Sequence, residues 1–284
     1  MPELPEVETI VRGLNNKING LTVNNTVILN QTPLSNCNIN EFKQFCLQQQ
    51  ISVINRFGKY IHLIFKDNRS LVIHLRMTGK LIVLENSPMI KIDHQNKTVN
   101  DIKHIHIIFF LNNKTCVLFR DVRRFGTFTI YGPDEMPEEK KNTGIDPFSP
   151  DFSADYVSSC LKKRKAPIKN ILLNQKLISG LGNIYANEAL HNAGIHPSLK
   201  SMDIKPGQIF TLTKEIRKVL KLAIKYNGTS ISDFHDIDEK KGEFQNFLKV
   251  YGREKNKCKT CLTGTIQKQF LAGRSTYYCP VCQK

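Results

Sequence analysis

Four cysteines in this 284-residue chain, Cys258-x2-Cys261 and Cys279-x2-Cys282, constrain its folding more than any other feature. The pattern C-x2-C-x17-C-x2-C falls within the spacing of tetrahedral zinc sites, where each pair turns back so that both sulfurs reach one ion. Between the pairs, residues 265–271 and 275–278 read as two short strands around Ala272-Gly273-Arg274, a hairpin with an arginine at its tip. A hairpin this small buries no core of its own, so one structural Zn2+ has to supply much of its folding energy. Two disulfides or four unrelated thiols are the competing reading. Cys37, Cys46, Cys116 and Cys160 show no paired spacing and fit reduced thiols in a cytoplasmic protein.

The charge balance narrows the partner. Lys and Arg number 41 against 25 Asp and Glu, a formal net charge of +16, which suits a polyanion such as nucleic acid or an acidic membrane surface. No run of eighteen apolar residues is present, and the opening Met1-Pro2-Glu3-Leu4-Pro5-Glu6 is too acidic and proline-broken for a signal peptide. The length predicts about two domains with real cores.

Residues 21–131 are mostly strand-like. Short β-branched and aromatic runs at 51–54, 60–65, 71–75, 81–84, 104–111 and 115–119 are separated by turns such as Asp67-Asn68 and Asn112-Asn113, and predict an antiparallel sandwich or barrel. Before them, 5–14 is a helix with Val7, Ile10, Val11 and Leu14 on one face and an acidic first turn. The polar segment 85–101 reads as a mobile loop, and the proline-bearing stretch 132–150 as a linker. Beyond it the period becomes helical. Ile209, Leu212, Ile216, Val219, Leu220 and Ala223 share a face, and Asn227-Gly228 supplies the stop.

A glycine turn stands out in the second half. A helix-like stretch over 166–176 runs into Ser179-Gly180-Leu181-Gly182, and a second helix starts near Asn183, which is expected to be its N-cap. The N–H groups there would form a phosphate site, with Lys162-Lys163-Arg164-Lys165 just upstream. An ordinary helical corner with a solvated charge run is the plain alternative. Beside the hairpin and the net charge, nucleic-acid binding is the better reading.

Six separated motifs, in order, resemble the bacterial formamidopyrimidine-DNA glycosylase family, the 8-oxoguanine repair enzymes. They are Pro2-Glu3-Leu4-Pro5-Glu6-Val7-Glu8-Thr9, Arg56-Phe57-Gly58-Lys59-Tyr60, His74-Leu75-Arg76-Met77-Thr78-Gly79 and Asp121-Val122-Arg123-Arg124-Phe125-Gly126. Gly180-Leu181-Gly182-Asn183-Ile184-Tyr185 resembles the family's helix–two-turn–helix motif, and Val250-Tyr251-Gly252-Arg253 with the cysteine hairpin completes the match from residue 2 onward. Departures are a long 85–103 loop, Ile105 after the Lys103-His104 pair, Thr78 after Met77, and a 230–243 segment that matches the lesion-capping loop loosely.

The residue types suit that chemistry. With Met1 removed, Pro2 would present a secondary amine; an α-amino group has a reference pKa near ~8, so a usable fraction is nucleophilic at neutral pH. Attack at the anomeric carbon displaces the base and leaves a permanently cationic iminium, an electron sink for phosphate elimination. Glu3 can exchange protons with the sugar ring oxygen. The resemblance implies a proton-transferring, DNA-contacting Lys59, which read alone is a solvated edge charge. It implies that Arg274 grips phosphate, a role its planar fork suits. His74, His104, Arg164 and Asn183 match further DNA contacts. Met77, Arg123 and Phe125 match the trio that fills the void left by an everted base; Met77 and Phe125 as core residues is the bland alternative.

The resemblance thus implies an α+β multidomain fold. Its parts are an N-terminal antiparallel β-sandwich with an N-terminal helix (2–131), a linker (132–152), a helix–two-turn–helix domain (153–228), a lesion-capping connection (229–249) and a zinc-finger β-hairpin (250–284). The expected activity is excision of oxidised purines from damaged double-stranded DNA and β,δ-elimination at the abasic site, by a cytoplasmic, nucleoid-associated monomer with no membrane contact. Leu4-Pro5 and the Arg123–Phe125 motif favour this over the sister endonuclease VIII, which takes oxidised pyrimidines. A catalytically silent zinc-hairpin DNA-binding protein is the alternative of a different class.

Overall fold

The computed structural model describes residues 1–85, 103–162, 164–230 and 234–284, so most of the expected 85–101 loop lies outside the described residues. The chain forms two compact units, one of residues 1–2, 6–141 and 229–242, the other of 3–5, 142–228 and 243–284.

The first element of the chain is α1 (Leu4–Ile18), which from Glu6 onward belongs to the first unit. It runs one turn past the expected end at residue 14 because Ile18 continues the apolar face of Val7, Ile10, Val11 and Leu14, all buried. Eight strands follow: β1 (Val23–Ile28), β2 (Ile51–Phe57), β3 (Tyr60–Phe65), β4 (Ser70–His74), β5 (Gly79–Leu84), β6 (Ile105–Leu111), β7 (Cys116–Asp121) and β8 (Thr127–Tyr131). They build two four-stranded antiparallel sheets, ordered β1-β6-β7-β5 and β2-β3-β4-β8. Both sheets and α1 bury side chains in one core that includes Leu14, Phe65, Ile73, Phe119 and Phe128, as an antiparallel sandwich requires.

The strand-like reading of 21–131 needs one correction. A helix, α2 (Ile39–Cys46), interrupts it, because Asn38 and Glu41 form a capping box. The Asn38 side chain accepts from the N–H of Asn40 and Glu41, and Glu41 accepts from the Asn38 N–H at 2.8 Å. A short α3 (Glu138–Lys141) ends this part of the unit. Segment 229–242 packs against the same unit: Ile237 lies where a Cβ on Gly13 would meet it at 2.8 Å, and Asp238 pairs with Lys17 at 2.6 Å.

The second unit is helical: α4 (Ala154–Leu161), α5 (Ile168–Leu172), α6 (Asn183–Asn192) and α7 (Pro206–Lys225). The helix expected over 166–176 is only α5, because Asn174 competes with helix continuation. Its carbonyl takes the N–H of Leu177 and Ile178, and its side chain takes that of Lys176. Gln175 then holds the glycine turn, accepting from the Gly180 N–H and donating to the Leu181 carbonyl. α7 starts at a proline and stops where Asn227 and Gly228 both take positive φ, with the Gly228 N–H on the Ala223 carbonyl. The chain then reaches the hairpin β9 (Gln267–Leu271) and β10 (Arg274–Tyr278). Its turn residues Ala272 (φ 47°) and Gly273 (φ 70°) are both left-handed, the geometry that two-residue hairpin loops favour. No helix among the described residues is long and apolar enough to cross a membrane.

Candidate active site and nucleic-acid interface

Glu3 is 4% exposed and sits against the start of α6. Its carboxylate accepts the Ile184 N–H at 3.0 Å and the Tyr185 N–H at 3.5 Å, where the positive end of the helix favours an anion. This corrects two expectations. The N-cap is Gly182, not Asn183, and no side chain of the cap residue satisfies the helix. Two of the N–H groups expected to receive phosphate, those of Ile184 and Tyr185, are taken by Glu3. A Cβ on Gly182 would lie 2.1 Å from the Glu3 carboxyl carbon, so only glycine admits the carboxylate there. Gly180 has φ +76°, and the Leu4 N–H bonds its carbonyl at 3.0 Å, which fixes the chain on the other side of Glu3.

Asn183, freed from capping, donates to the Ser275 carbonyl of β10 at 3.0 Å and so joins α6 to the hairpin. Lys169 of α5 makes a second tie that the sequence reading missed. It is 0% exposed, and its Nζ donates to the Ser275 carbonyl at 2.9 Å and to Thr276 Oγ1 at 2.6 Å. Burial pushes its pKa down to about 7; the Arg274 charge adds to this and Glu3 opposes it. The signal available in the sequence was a lysine among Ile168, Ile171 and Leu172, a charge on a core face. Arg274 opens β10 beside the turn and is exposed; Arg164, between α4 and α5, is exposed too.

The four cysteines meet as their spacing predicts. Their sulfurs lie within 4.8 Å of one another, and all are free thiols. Cys258–Cys282 and Cys261–Cys279 separations are 3.8 and 3.7 Å. Metal–sulfur bonds of about 2.3 Å in a tetrahedron place sulfurs about 3.8 Å apart, so the cluster fits a four-coordinate ion. Backbone N–H groups of Thr260 and Gly264 point at the sulfurs of Cys258 and Cys261, as thiolates require. His191 Nε2 approaches Cys258 Sγ at 3.6 Å.

In the β unit, Pro2 is buried. Lys59 lies in the β2–β3 turn beside Gly58 (φ +55°) and is 6% exposed, so it is not a solvated edge charge. His74 ends β4, buried, its Nδ1 accepting the Arg76 N–H at 2.9 Å and the Tyr60 ring edge-on to it. Burial first, then the charges of Arg76 and Lys59, holds its pKa down at about 3, so it is neutral at pH 7. His104 is exposed with φ +72°. Met77 is 41% and Phe125 52% exposed, which excludes the reading of both as core. The Arg123 guanidinium lies 5.0 Å from the Phe125 ring centroid.

Two family descriptions match the chain. Residues 1–128 match the formamidopyrimidine-DNA glycosylase N-terminal domain, and residues 143–235 its H2TH domain. A formamidopyrimidine-DNA glycosylase of Carboxydothermus hydrogenoformans is 39% identical over 285 residues, covering 100% of both chains. That of Rickettsia africae is 38% identical over 290 residues, 100% of this chain and 99% of the relative. Among solved structures, a Lactococcus lactis FPG mutant in complex with Fapy-dG containing DNA superposes with a TM-score of 0.88 at 34% identity over 100% of both chains. The Lactococcus lactis Fpg with abasic-site DNA gives 0.88 at 33%, over 99% of each. The fold is therefore that of the helix–two-turn–helix proteins with a four-cysteine hairpin. Within that class the chain belongs to the formamidopyrimidine-DNA glycosylase family.

Proposed function

We propose that this chain excises oxidised purines, 8-oxoguanine and formamidopyrimidines, from duplex DNA and then cleaves the abasic strand. The observation that carries the reading is the anchoring of Glu3. Two helix N–H groups and a glycine fix its carboxylate, one residue along the chain from Pro2. A proton-exchanging carboxylate one residue from a secondary amine is what imine-forming glycosylase chemistry needs.

With Met1 removed, the Pro2 nitrogen attacks C1′. The C1′–base bond breaks and the base leaves with the bonding pair. The Glu3 carboxylate takes the proton that the attacking nitrogen must shed and passes it to O4′ as the sugar opens to the iminium, while the departing base takes its proton from solvent. Loss of a C2′ proton expels the 3′-phosphate, and a second elimination expels the 5′-phosphate. Lys59 assists proton transfer and Arg274 holds phosphate. His74, His104, Arg164 and Asn183 contact the backbone, while Met77, Arg123 and Phe125 fill the space the base vacates. Asn183 does so from its tie to Ser275 and not through the α6 N-terminus, which Glu3 fills. Zn2+ is the ion that four thiolates at these separations suit, and it holds the hairpin without taking part in the chemistry.

The working parts are 2–131 as catalytic sandwich, 132–152 as linker, 153–228 as helix–two-turn–helix, 229–249 as lesion-capping connection and 250–284 as zinc hairpin. The chain acts as a monomer in the cytoplasm, at the nucleoid. The names of its relatives favour the purine enzyme over endonuclease VIII. A nicking assay on duplexes holding 8-oxoguanine, formamidopyrimidine or thymine glycol tests this. The first two should be cut well and the third poorly. Preference for thymine glycol reverses the substrate assignment, and no cleavage of any leaves only a DNA-binding protein.

A further inference from the structure

Two exposed segments of the β unit carry the three side chains assigned to the void. Met77 belongs to the turn between β4 and β5, and Arg123 and Phe125 to the turn between β7 and β8. Both turns are intrinsically awkward. Arg76, next to Met77, has φ +52°, and Arg124, between Arg123 and Phe125, has φ +58°. Non-glycine residues keep that conformation only where the surroundings hold it.

A single buried carboxylate touches both turns. Asp121, the last residue of β7, is 0% exposed. Its Oδ1 accepts the Thr78 hydroxyl in a short bond and the Arg123 N–H at 3.2 Å, and its Oδ2 accepts the Gly126 N–H at 2.8 Å. A carboxylate only accepts, so Thr78 must donate to it, and the Thr78 oxygen is then free to accept the Arg123 N–H at 3.1 Å. The Met77 turn is therefore bonded directly to the Arg123 backbone, and both hang from Asp121. Close packing supports this: a Cβ on Gly126 would sit 2.5 Å from Phe119 Cζ and 3.2 Å from Asp121 Oδ2. The result is a preset surface on which the Arg123 guanidinium already stacks on Phe125.

We propose that Asp121, acting with Thr78, is a positioning residue that fixes Met77, Arg123 and Phe125 as one preassembled wedge, and so sets discrimination of the base opposite the lesion. This rests on the glycosylase reading above. Holding the wedge before DNA arrives removes an ordering cost that loose turns would meet on every binding event. It also fixes the guanidinium relative to the partner base, which a mobile turn could not do.

Thr78→Val keeps shape and removes the hydroxyl, and Asp121→Asn keeps size and puts an amide donor against donors. The wild-type chain and each variant are assayed on duplexes with 8-oxoguanine opposite cytosine or adenine, and on a single-stranded abasic oligonucleotide that offers no opposite base. Both variants should lose about ten-fold in kcat/KM on the cytosine duplex, the effect of one charge-assisted hydrogen bond. They should narrow the cytosine-over-adenine ratio and leave single-strand cleavage unchanged. Retained discrimination in Thr78→Val overturns the proposal, and so does a parallel loss on all three substrates, which marks a merely structural role. If the wild-type chain fails on the abasic oligonucleotide, it is the glycosylase–lyase reading that fails, and the two failures are told apart.

Discussion

Gly182 has no side chain, yet its substitution should disable the chemistry. Its backbone is extended (φ −130°), which alanine adopts freely, so Gly182→Ala acts through space and not through backbone strain. The new Cβ would stand 2.1 Å from the Glu3 carboxyl carbon and 2.4 and 2.5 Å from its oxygens. No real contact is that close, so Glu3 must move by about 1 Å or more and release the Ile184 and Tyr185 N–H groups. A hydrogen bond to a charged group contributes roughly 1.5–3 kcal/mol, and the 3.5 Å contact to Tyr185 adds little, so about 2 kcal/mol of stability should be lost. A displacement of about 1 Å at a reacting group costs on the order of a hundred-fold in rate. Single-turnover excision of 8-oxoguanine and urea unfolding measure the two effects. Because the damage passes through one side chain, Gly182→Ala added to Glu3→Gln should cost little beyond Glu3→Gln alone. Full activity in Gly182→Ala, or additive losses in the double variant, would refute the placement of Glu3.

Other perturbations separate the remaining parts. Arg123→Ala should reduce the preference for 8-oxoguanine opposite cytosine over adenine by about ten- to a hundred-fold, one readout contact being worth roughly 1–3 kcal/mol; matched excision rates on the two duplexes decide it. Cys258→Ser or Cys282→Ser should lose the metal and DNA binding, whereas Arg274→Ala should keep one zinc per chain and lose binding; elemental analysis of freshly purified protein near zero zinc sinks the assignment. Lys169 should make stability depend on pH. Its folded pKa, about 7, lies below the ordinary lysine value of 10.5, so between these pH values the unfolded chain binds more protons and stability rises as pH rises. Urea midpoints across that window should climb in the wild type and stay flatter in Lys169→Met; identical slopes would place Lys169 in water.

What could be read from the sequence was what local pattern dictates. The strands read at 60–65 and 104–111, the second starting one residue later at Ile105, the face of α7, the Asn227-Gly228 stop and the metal-type cysteine cluster follow from period, turn chemistry and ligand spacing. What escaped depended on partners far away in sequence. Asn183 was expected to cap α6 because asparagine is a good N-cap, but Glu3, brought from the other end of the chain, outcompetes it with a full charge. Lys169 stands among Ile168, Ile171 and Leu172 with no local partner, and its acceptors, the Ser275 carbonyl and Thr276 Oγ1, come from β10 about a hundred residues on. The helix expected over 166–176 ended early at Asn174, whose side chain bonds its own neighbourhood. The capping box of α2 is legible in Asn38 and Glu41, within a run whose other residues favour strands.

The central claim is that the Pro2 amine is the nucleophile, and covalent capture tests it directly. Borohydride added during reaction with an 8-oxoguanine duplex should reduce the iminium to a stable protein–DNA adduct, and peptide mapping should place that adduct on Pro2. A residue inserted before Pro2 removes the secondary amine and should abolish the adduct and cleavage while the fold persists. An adduct on Lys59 or Lys169, or full cleavage with the insertion in place, would contradict the account.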